Sequence, residues 1–251
     1  MVIDKKILTE KLFDVIIIGG GINGAGIALD AALRGLSVLL IDKNDFGSHT
    51  TSASTKLIHG GLRYLEYFEF PLVRESLRER ERLLKNAPHL LWPLKLKIPI
   101  YENSSRGPLM IKAGMIAYDI FSFDKSLPNH QFYFINKNSK HSESDPSLLK
   151  EGLKAVASYY DCQVGYPERL CLEIVLSANE AGAYVLNHNE MIEYQSIQPD
   201  LKELTVRDRL SGEINRFKSK LVVNASGVFV DEICQLIDDD ISRKMGGTKG
   251  S

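Results

Sequence analysis

Apolar and polar residues come in blocks near the start of the chain, and the blocks predict a strand, a helix and a second strand. Residues 13–18 form a short run rich in β-branched side chains, which is typical of a parallel strand covered on both faces. Small and apolar residues dominate from 22 to 34, and Gly35 follows as a helix stop. Residues 37–41 predict a second buried strand, so the first 41 residues contain one strand, helix and strand unit.

Further along, the pattern becomes irregular and then returns to alternating helices and strands. Pro71 and Pro88 bracket a charged helix, and loops of Pro, Asn and Ser separate short apolar runs between 90 and 160, which indicates antiparallel strands. The later elements are a helix over 167–181, strands over 184–186 and 191–195, a hairpin turn at 210–213, and a strand, turn and helix over 220–237.

One long apolar stretch needs a separate decision. Residues 108–123 are mostly apolar, but Lys112 and Asp119 interrupt them, and a membrane-spanning helix needs about 18 apolar residues. An interfacial helix remains an alternative, and we expect a helix that is buried in the protein.

Composition narrows the class of protein. The 251 residues are 44% hydrophobic and 25% charged, which is typical of a globular protein, and the formal net charge of -1 does not favour a nucleic-acid partner. Three cysteines, an odd number, and an N-terminus too mixed in charge for a signal peptide favour reduced thiols in the cytoplasm. The histidines lack the spacing of a metal site, so no metal is expected.

Three glycines follow the first predicted strand directly. Gly19, Gly21 and Gly24 form the pattern G-x-G-x-x-G, in which they allow a tight turn, close approach of a pyrophosphate and packing of helix on strand. Asp42 ends the second strand, where a carboxylate can accept both hydroxyls of an adenosine ribose. An acid there disfavours a 2′-phosphate and hence NADP, so NAD and FAD remain.

The segment "TTSASTKLIHGGLRYLE", residues 50–66, distinguishes these two dinucleotides. Its first residues carry hydroxyls that suit the pyrophosphate and ribityl chain of a flavin. Gly60 and Gly61 allow close backbone approach to a ring system. The turn "NASG", 224–227, adds a second loop beside the same dinucleotide, so the sequence favours FAD.

These motifs also carry a family resemblance. The stretches that carry it are "GGGINGAGIALDAALRGLSVLLIDKNDF", the 50–66 segment, "LVRESLRERERLLKNAPHL", "YYDCQV", "PERL", "VVNASG" and "TKGS". Through these stretches, the chain resembles the FAD-dependent glycerol-3-phosphate dehydrogenases. This family belongs to the wider group of glutathione-reductase-like and amino-acid-oxidase-like flavoproteins. The resemblance implies oxidation of sn-glycerol 3-phosphate to dihydroxyacetone phosphate, with hydride passing from the substrate C2 to flavin N5 and electrons then passing to a membrane quinone.

The resemblance also implies roles for individual residues. Catalytic roles fall to His59, Arg63 and Tyr64. FAD binding falls to Gly19, Gly21, Asn23, Gly24, Asp42, Lys43, Ser52, Ser54, Lys56, His59, Gly61, Met191, Ala225 and Gly227.

The chemistry of the catalytic residues agrees with this assignment. Arg63 offers a planar cationic fork to a phosphate dianion, Tyr64 adds an O–H donor, and His59 is a candidate acceptor for the proton of the substrate hydroxyl. Simpler roles stay open: Arg63 pairing with Glu66 or Glu69, and His59 packing in the interior. Lys56 is also open, as a donor to backbone carbonyls.

The expected fold is α/β, a Rossmann-like FAD-binding domain with an inserted, mainly antiparallel α+β substrate cap. The expected domains are 1–89 and 167–251 for FAD and 90–166 for the cap. The resemblance places the protein in the cytoplasm, peripheral on the inner membrane, and leaves a homodimer open. "QVGYPERL" lacks the acidic pair that the family carries there, and the chain ends before the rest of the substrate site, so we expect an N-terminal portion. The alternatives are an amine or amino-acid oxidase of the same fold and a catalytically incomplete FAD-binding fragment.

Overall fold

A computed structural model describes residues 5–135, 151–238 and 240–246. The helices are α1 (Lys5–Thr9), α2 (Ile22–Leu33), α3 (Phe70–Asn86), α4 (Pro108–Phe121), α5 (Pro167–Glu180) and α6 (Val230–Ile237). The strands are β1 (Leu12–Ile18), β2 (Val38–Ile41), β3 (Leu57–Ile58), β4 (Leu91–Tyr101), β5 (Gln131–Phe134), β6 (Leu153–Val164), β7 (Tyr184–Leu186), β8 (Asn189–Gln198), β9 (Leu201–Asp208) and β10 (Ile214–Asn224). Short 3₁₀ helices cover Leu62–Tyr67 and Gly227–Phe229.

The chain divides into two compact units. Unit 1 comprises Met1–Ser54 and Tyr166–Ser251, and unit 2 comprises Thr55–Gly165, so unit 2 is inserted into the sequence of unit 1.

Unit 1 is built on a mixed sheet with strand order β7-β2-β1-β10-β9-β8. Strands β7, β2, β1 and β10 are parallel neighbours, and β9 and β8 continue the sheet in antiparallel fashion. Alternate side chains of β1 enter different apolar clusters, Ile16 one and Ile17 the other, which is the double burial expected of these strands. Alanines of α2 and α5 pack closely on the second face. The predicted strand, helix and strand unit is confirmed, as is the later pattern from α5 to α6.

Unit 2 is organised around the long strand β6. Strand β4 pairs antiparallel with β6 along its length, and β3 and β5 pair with the other edge of β6, also antiparallel. Helices α3 and α4 meet in a small apolar cluster of Val73, Leu77 and Tyr118. The predicted antiparallel character of this region is therefore confirmed.

The expected burial of helix α4 is wrong. Met115 and Tyr118 are buried, but the side chains of Leu109, Met110 and Ile120 are 75%, 59% and 64% exposed. Only the helix face that carries 115 and 118 packs on the unit, so an apolar composition did not determine which face is covered. Among the described residues, no helix has both the length and the apolar character needed to cross a membrane.

The first boundary between the units differs from the expected one. Residues 55–89, which the sequence analysis assigned to the FAD-binding part, cluster with unit 2. The reason is that β3 pairs with β6 and that α3 packs through Val73 and Leu77 on Tyr118. The segment 50–66 therefore changes unit at Ser54.

Candidate functional site

The glycine turn of unit 1 requires glycine at its first and last positions. Gly19 has a φ of +106°, and a Cβ there would lie 2.5 Å from the carbonyl oxygen of Ala225. At Gly24 a Cβ would lie 1.8 Å from the carbonyl oxygen of Gly19, so the first turn of α2 rests directly on the loop. The turn therefore packs so tightly against neighbouring backbone, at the carboxyl edge of the sheet, that neither position has space for a side chain.

The N-terminus of helix α2 faces the same edge. Gly21 is the N-cap residue in an extended conformation, and the Ile22 N–H donates to the Oγ1 atom of Thr51 at 3.1 Å. Asn23 is exposed in the first turn. The helix dipole and the remaining N–H groups favour an anion at this position.

Asp42 is fixed by two backbone donors at the end of β2. The Gly20 N–H donates to Oδ2 at 2.6 Å and the Asn44 N–H donates to Oδ1 at 2.7 Å. Each carboxylate oxygen has more than one lone-pair site, so both oxygens still have acceptor capacity for ribose hydroxyls.

The second turn lies beside the first, as expected. Strand β10 pairs parallel with β1, and the Ala225 N–H donates to the carbonyl of Ile18 at 2.8 Å. The Oδ1 atom of Asn224 accepts from the Ser226 N–H at 3.2 Å and from its hydroxyl at 2.5 Å. Gly227 follows, exposed, with a φ of +59°.

The predicted substrate residues come together in unit 2. His59, Gly61, Arg63, Tyr64, Tyr67 and Glu69 line a cavity of about 520 Å³. Gly61 has a φ of +67°, and a Cβ there would lie 2.2 Å from the ring of Tyr64, so the tyrosine sits directly on the glycine.

Among the residues that the structure describes, Arg63 has no acidic partner. Within the described ranges, neither Glu66 nor Glu69 forms an ion pair with it, and Glu66 instead receives a hydrogen bond from Arg106 at 2.5 Å. The simpler interpretation of Arg63 as a partner of Glu66 or Glu69 is therefore wrong. Its guanidinium is exposed at the cavity and able to receive an anion.

The orientation of His59 determines what it offers. The Gly61 N–H donates to the Nδ1 atom of His59 at 3.0 Å, so the neutral ring carries its proton on Nε2. In this geometry, Nε2 is a hydrogen-bond donor, and taking up a substrate proton would require the Gly61 contact to break first. His59 is exposed, so the alternative that it packs in the interior is wrong.

Below this segment lies a buried polar network that the sequence analysis missed. The Gly60 N–H donates to the Tyr118 hydroxyl at 2.9 Å, and that hydroxyl donates to the Oδ1 atom of Asp161 at 2.8 Å. The Nη1 atom of Arg80 donates to the same oxygen at 2.5 Å. Burial, reinforced by the Asp161 charge, raises the pKa of Tyr118 far above its usual value, so the hydroxyl stays protonated. A sequence feature that could have indicated this network is Asp161, an aspartate within the largely apolar strand β6.

Comparison with known proteins places these features in a family. The model of the FAD dependent oxidoreductase family matches residues 14–251. The chain belongs to this family.

Relatives within the family are named for one activity. A glycerol-3-phosphate dehydrogenase of Synechocystis sp. is 51% identical over 97% of this chain and 45% of its own length. The aerobic glycerol-3-phosphate dehydrogenase of Staphylococcus saprophyticus is 38% identical over 91% of this chain and 41% of its own. The chain thus spans less than half the length of these relatives.

A solved structure agrees. The glycerol-3-phosphate dehydrogenase of Bacillus halodurans, complexed with FAD, is 31% identical, with a TM-score of 0.66 over 91% of this chain and 37% of that one. The expected fold is confirmed: α/β, with a Rossmann-like FAD-binding domain and an inserted, mainly antiparallel segment.

The residues of unit 1 fit FAD, the cofactor of this family. The glycine turn leaves no room for side chains, α2 presents N–H groups, and Asp42 keeps acceptor capacity. Thr51, which was not among the predicted residues, accepts a hydrogen bond from the Ile22 N–H at the N-terminus of α2.

Other predicted cofactor residues of this FAD dependent oxidoreductase are engaged within the protein. The Ser52 hydroxyl donates to the His49 carbonyl at 2.9 Å, which leaves it acceptor capacity only. The Lys43 ammonium lies 3.4 Å from the ring centroid of Phe229 and 3.3 Å from Glu232. The Met191 side chain is buried in the core, so contact with a ligand falls to its backbone. Lys56 has a φ of +61° at the start of unit 2, and Ser54 ends unit 1.

Proposed function

We propose that the full-length protein is an FAD-dependent dehydrogenase that oxidises sn-glycerol 3-phosphate to dihydroxyacetone phosphate. The observation that carries the proposal is the exposed guanidinium of Arg63, without an acid partner among the described residues, in a cavity shared with Tyr64 and His59. The names of the relatives and of the Bacillus halodurans structure support the same substrate.

Each residue of the cavity has a role that its chemistry allows. Arg63 binds the phosphate dianion through two parallel N–H donors, and the Tyr64 hydroxyl adds a third. His59 donates from Nε2 to a substrate oxygen because its Nδ1 atom is occupied by Gly61. When bound, FAD would act as the two-electron acceptor, with the hydride of the substrate C2 passing to N5 and the proton of the C2 hydroxyl leaving to water in the exposed cavity.

Unit 1 has the complementary role of holding the cofactor. The backbone N–H groups at the start of α2 suit the pyrophosphate, and Asp42 suits the adenosine ribose. Asn23, Ser54, Lys56, Ala225 and Gly227 are proposed as further cofactor residues.

A variant of Arg63 tests the substrate assignment. In Arg63→Ala, we expect the KM for glycerol 3-phosphate to rise about a hundredfold, because two charge-assisted hydrogen bonds of about 1.5 kcal/mol each are lost. Activity with glycerol, which lacks the phosphate, should not change. Steady-state kinetics with a soluble dye as electron acceptor measures both.

Arg82→Ala is the matched control, because Arg82 is an exposed arginine of the same unit that pairs with Glu79 at 2.5 Å on helix α3. An unchanged KM for glycerol 3-phosphate in Arg63→Ala would overturn the assignment. Flavin reduction by amino acids, with no reduction by glycerol 3-phosphate, would favour the oxidase alternative.

We further propose that a membrane quinone takes the electrons and that the protein works at the cytoplasmic surface of the inner membrane. The description of a relative as aerobic supports a respiratory acceptor. Faster oxidation of the reduced protein by a short-chain quinone than by oxygen is expected, and equal rates would contradict this proposal.

A further inference from the structure

The backbone of Gly60 and Gly61 connects the cavity to the interior of unit 2. On the cavity side, the Gly61 N–H holds His59 at 3.0 Å, and the Tyr64 ring packs against the Gly61 Cα atom. On the interior side, the Gly60 N–H points to the Tyr118 hydroxyl at 2.9 Å and to Asp161 Oδ1 at 3.4 Å. Two adjacent peptide groups thus connect the cavity residues to buried polar atoms.

Close packing strengthens this connection. A Cβ at Gly60 would lie 2.3 Å from Leu77 Cδ2 and 2.5 Å from the Tyr118 hydroxyl. The backbone therefore lies directly against the side chains below it, and a shift of the Tyr118 hydroxyl must move the segment above.

A contribution to folding stability does not explain the buried ion pair of Arg80 and Asp161. The side chains of Arg80 and Asp161 are almost completely buried, and within the described part of the chain Nε and Nη2 of Arg80 have no hydrogen-bond partner. A buried pair with unsatisfied donors costs desolvation energy that its attraction barely offsets, and well-packed apolar residues are often as stable. What the pair does supply is a fixed orientation, because Arg80 and Tyr118 both donate to the same oxygen of Asp161.

We propose that Asp161, Arg80 and Tyr118 are positioning residues that fix the cavity segment 59–64 through the Gly60 N–H. They hold the backbone of this segment in the position from which the side chains of Arg63 and Tyr64 bind the substrate phosphate. The identity of the substrate in this statement rests on the function proposed above.

The test is Tyr118→Phe in the full-length protein, which removes the nearer acceptor of the Gly60 N–H, leaves only the longer contact with Asp161 Oδ1, and keeps the ring. Tyr159→Phe is the matched control. Its ring lies 5.6 Å from that of Tyr118, and its hydroxyl makes no hydrogen bond within the described residues. Two readouts are measured on both: amide hydrogen exchange of a peptide covering 57–67, and KM and kcat for glycerol 3-phosphate.

In Tyr118→Phe, we expect exchange of that peptide to accelerate about tenfold, KM to rise about three- to tenfold and kcat to stay within about twofold. FAD content should be unchanged because the cofactor residues of α2 and β2 lie in unit 1. Tyr159→Phe should leave all of these values as in the wild type.

Unchanged exchange in Tyr118→Phe overturns the proposal, whatever the kinetics. Faster exchange with unchanged KM also overturns it, because the network would then be structural only. If glycerol 3-phosphate does not reduce the wild-type flavin, the substrate assignment fails instead, and the exchange result alone decides whether the network fixes the segment.

Discussion

Gly24 and Gly26 lie two positions apart on helix α2 in opposite environments. A Cβ at Gly24 would collide with the carbonyl oxygen of Gly19 at 1.8 Å, whereas a Cβ at Gly26 meets no atom within 4 Å. We expect Gly24→Ala to lose bound FAD and stability. Gly26→Ala should retain FAD and gain up to about 1 kcal/mol of stability from helix propensity.

The ratio of flavin to protein absorbance and the thermal unfolding midpoint measure both effects. Normal flavin content in Gly24→Ala would contradict the packing role of this glycine.

Two substitutions of His59 separate the roles of its two ring nitrogens. The asparagine amide reaches the position of Nδ1 and can accept from the Gly61 N–H, whereas a glutamine amide reaches the position of Nε2. If Nδ1 orders the segment and Nε2 binds substrate, His59→Asn should raise KM and keep slow amide exchange at 57–67. His59→Gln should accelerate that exchange. The reverse pattern would contradict the orientation described for His59.

At the residue scale, local rules predicted the tight backbone turn at Gly19 to Gly24 and the position of Asp42 directly after a strand, because turns and strand ends depend on residue types that are close together in the sequence. Contacts between residues that are distant in sequence do not. The contact of Thr51 with Ile22 and the stacking of Lys43 on Phe229 depend on how loops fold over the sheet edge.

The stability that helix α1 contributes depends on pH through one ion pair. Leu8 enters the apolar cluster under the sheet, and Lys5 forms an ion pair with Asp208 at the end of β9. The hydrogen bond from Lys5 is the largest cause that lowers the pKa of Asp208 from 3.8 to about 2. The contribution of this pair to stability is therefore complete above about pH 4 and is lost as the pH falls towards 2.

We expect Lys5→Met to lower the unfolding midpoint at pH 6 and to have a smaller effect at pH 3. In an Asp208→Asn background, which removes the titrating group, the effect of Lys5→Met should no longer depend on pH. Thermal unfolding of the four proteins at both pH values measures this. A constant difference between wild type and Lys5→Met would contradict the assignment.

At the element scale, hydrophobic patterning predicted β1, α2 and β2 of unit 1, because buried parallel strands have short and uniform apolar runs, but it did not predict α1 or β9. It failed for helix α4, whose apolar residues lie on both the packed and the exposed face. The buried network of Arg80, Tyr118 and Asp161 could not be predicted from the sequence either, because α3, α4 and β6 each contribute one of its side chains.

At the scale of the whole chain, one unit carries the glycine turn and Asp42, and the inserted unit carries Arg63, the arginine proposed to bind the substrate phosphate. Neither unit contains both sets of residues, so the proposed activity requires both. Because the chain spans less than half of its curated relatives, the decisive measurement belongs to the full-length protein.

That measurement is a visible absorption spectrum of the purified full-length protein, followed by anaerobic addition of glycerol 3-phosphate. The account predicts a bound flavin spectrum that bleaches with glycerol 3-phosphate and does not bleach with glycerol at the same concentration. A bound flavin that glycerol 3-phosphate leaves oxidised would contradict the proposed function, and a protein that takes up no FAD on reconstitution would contradict the cofactor site itself.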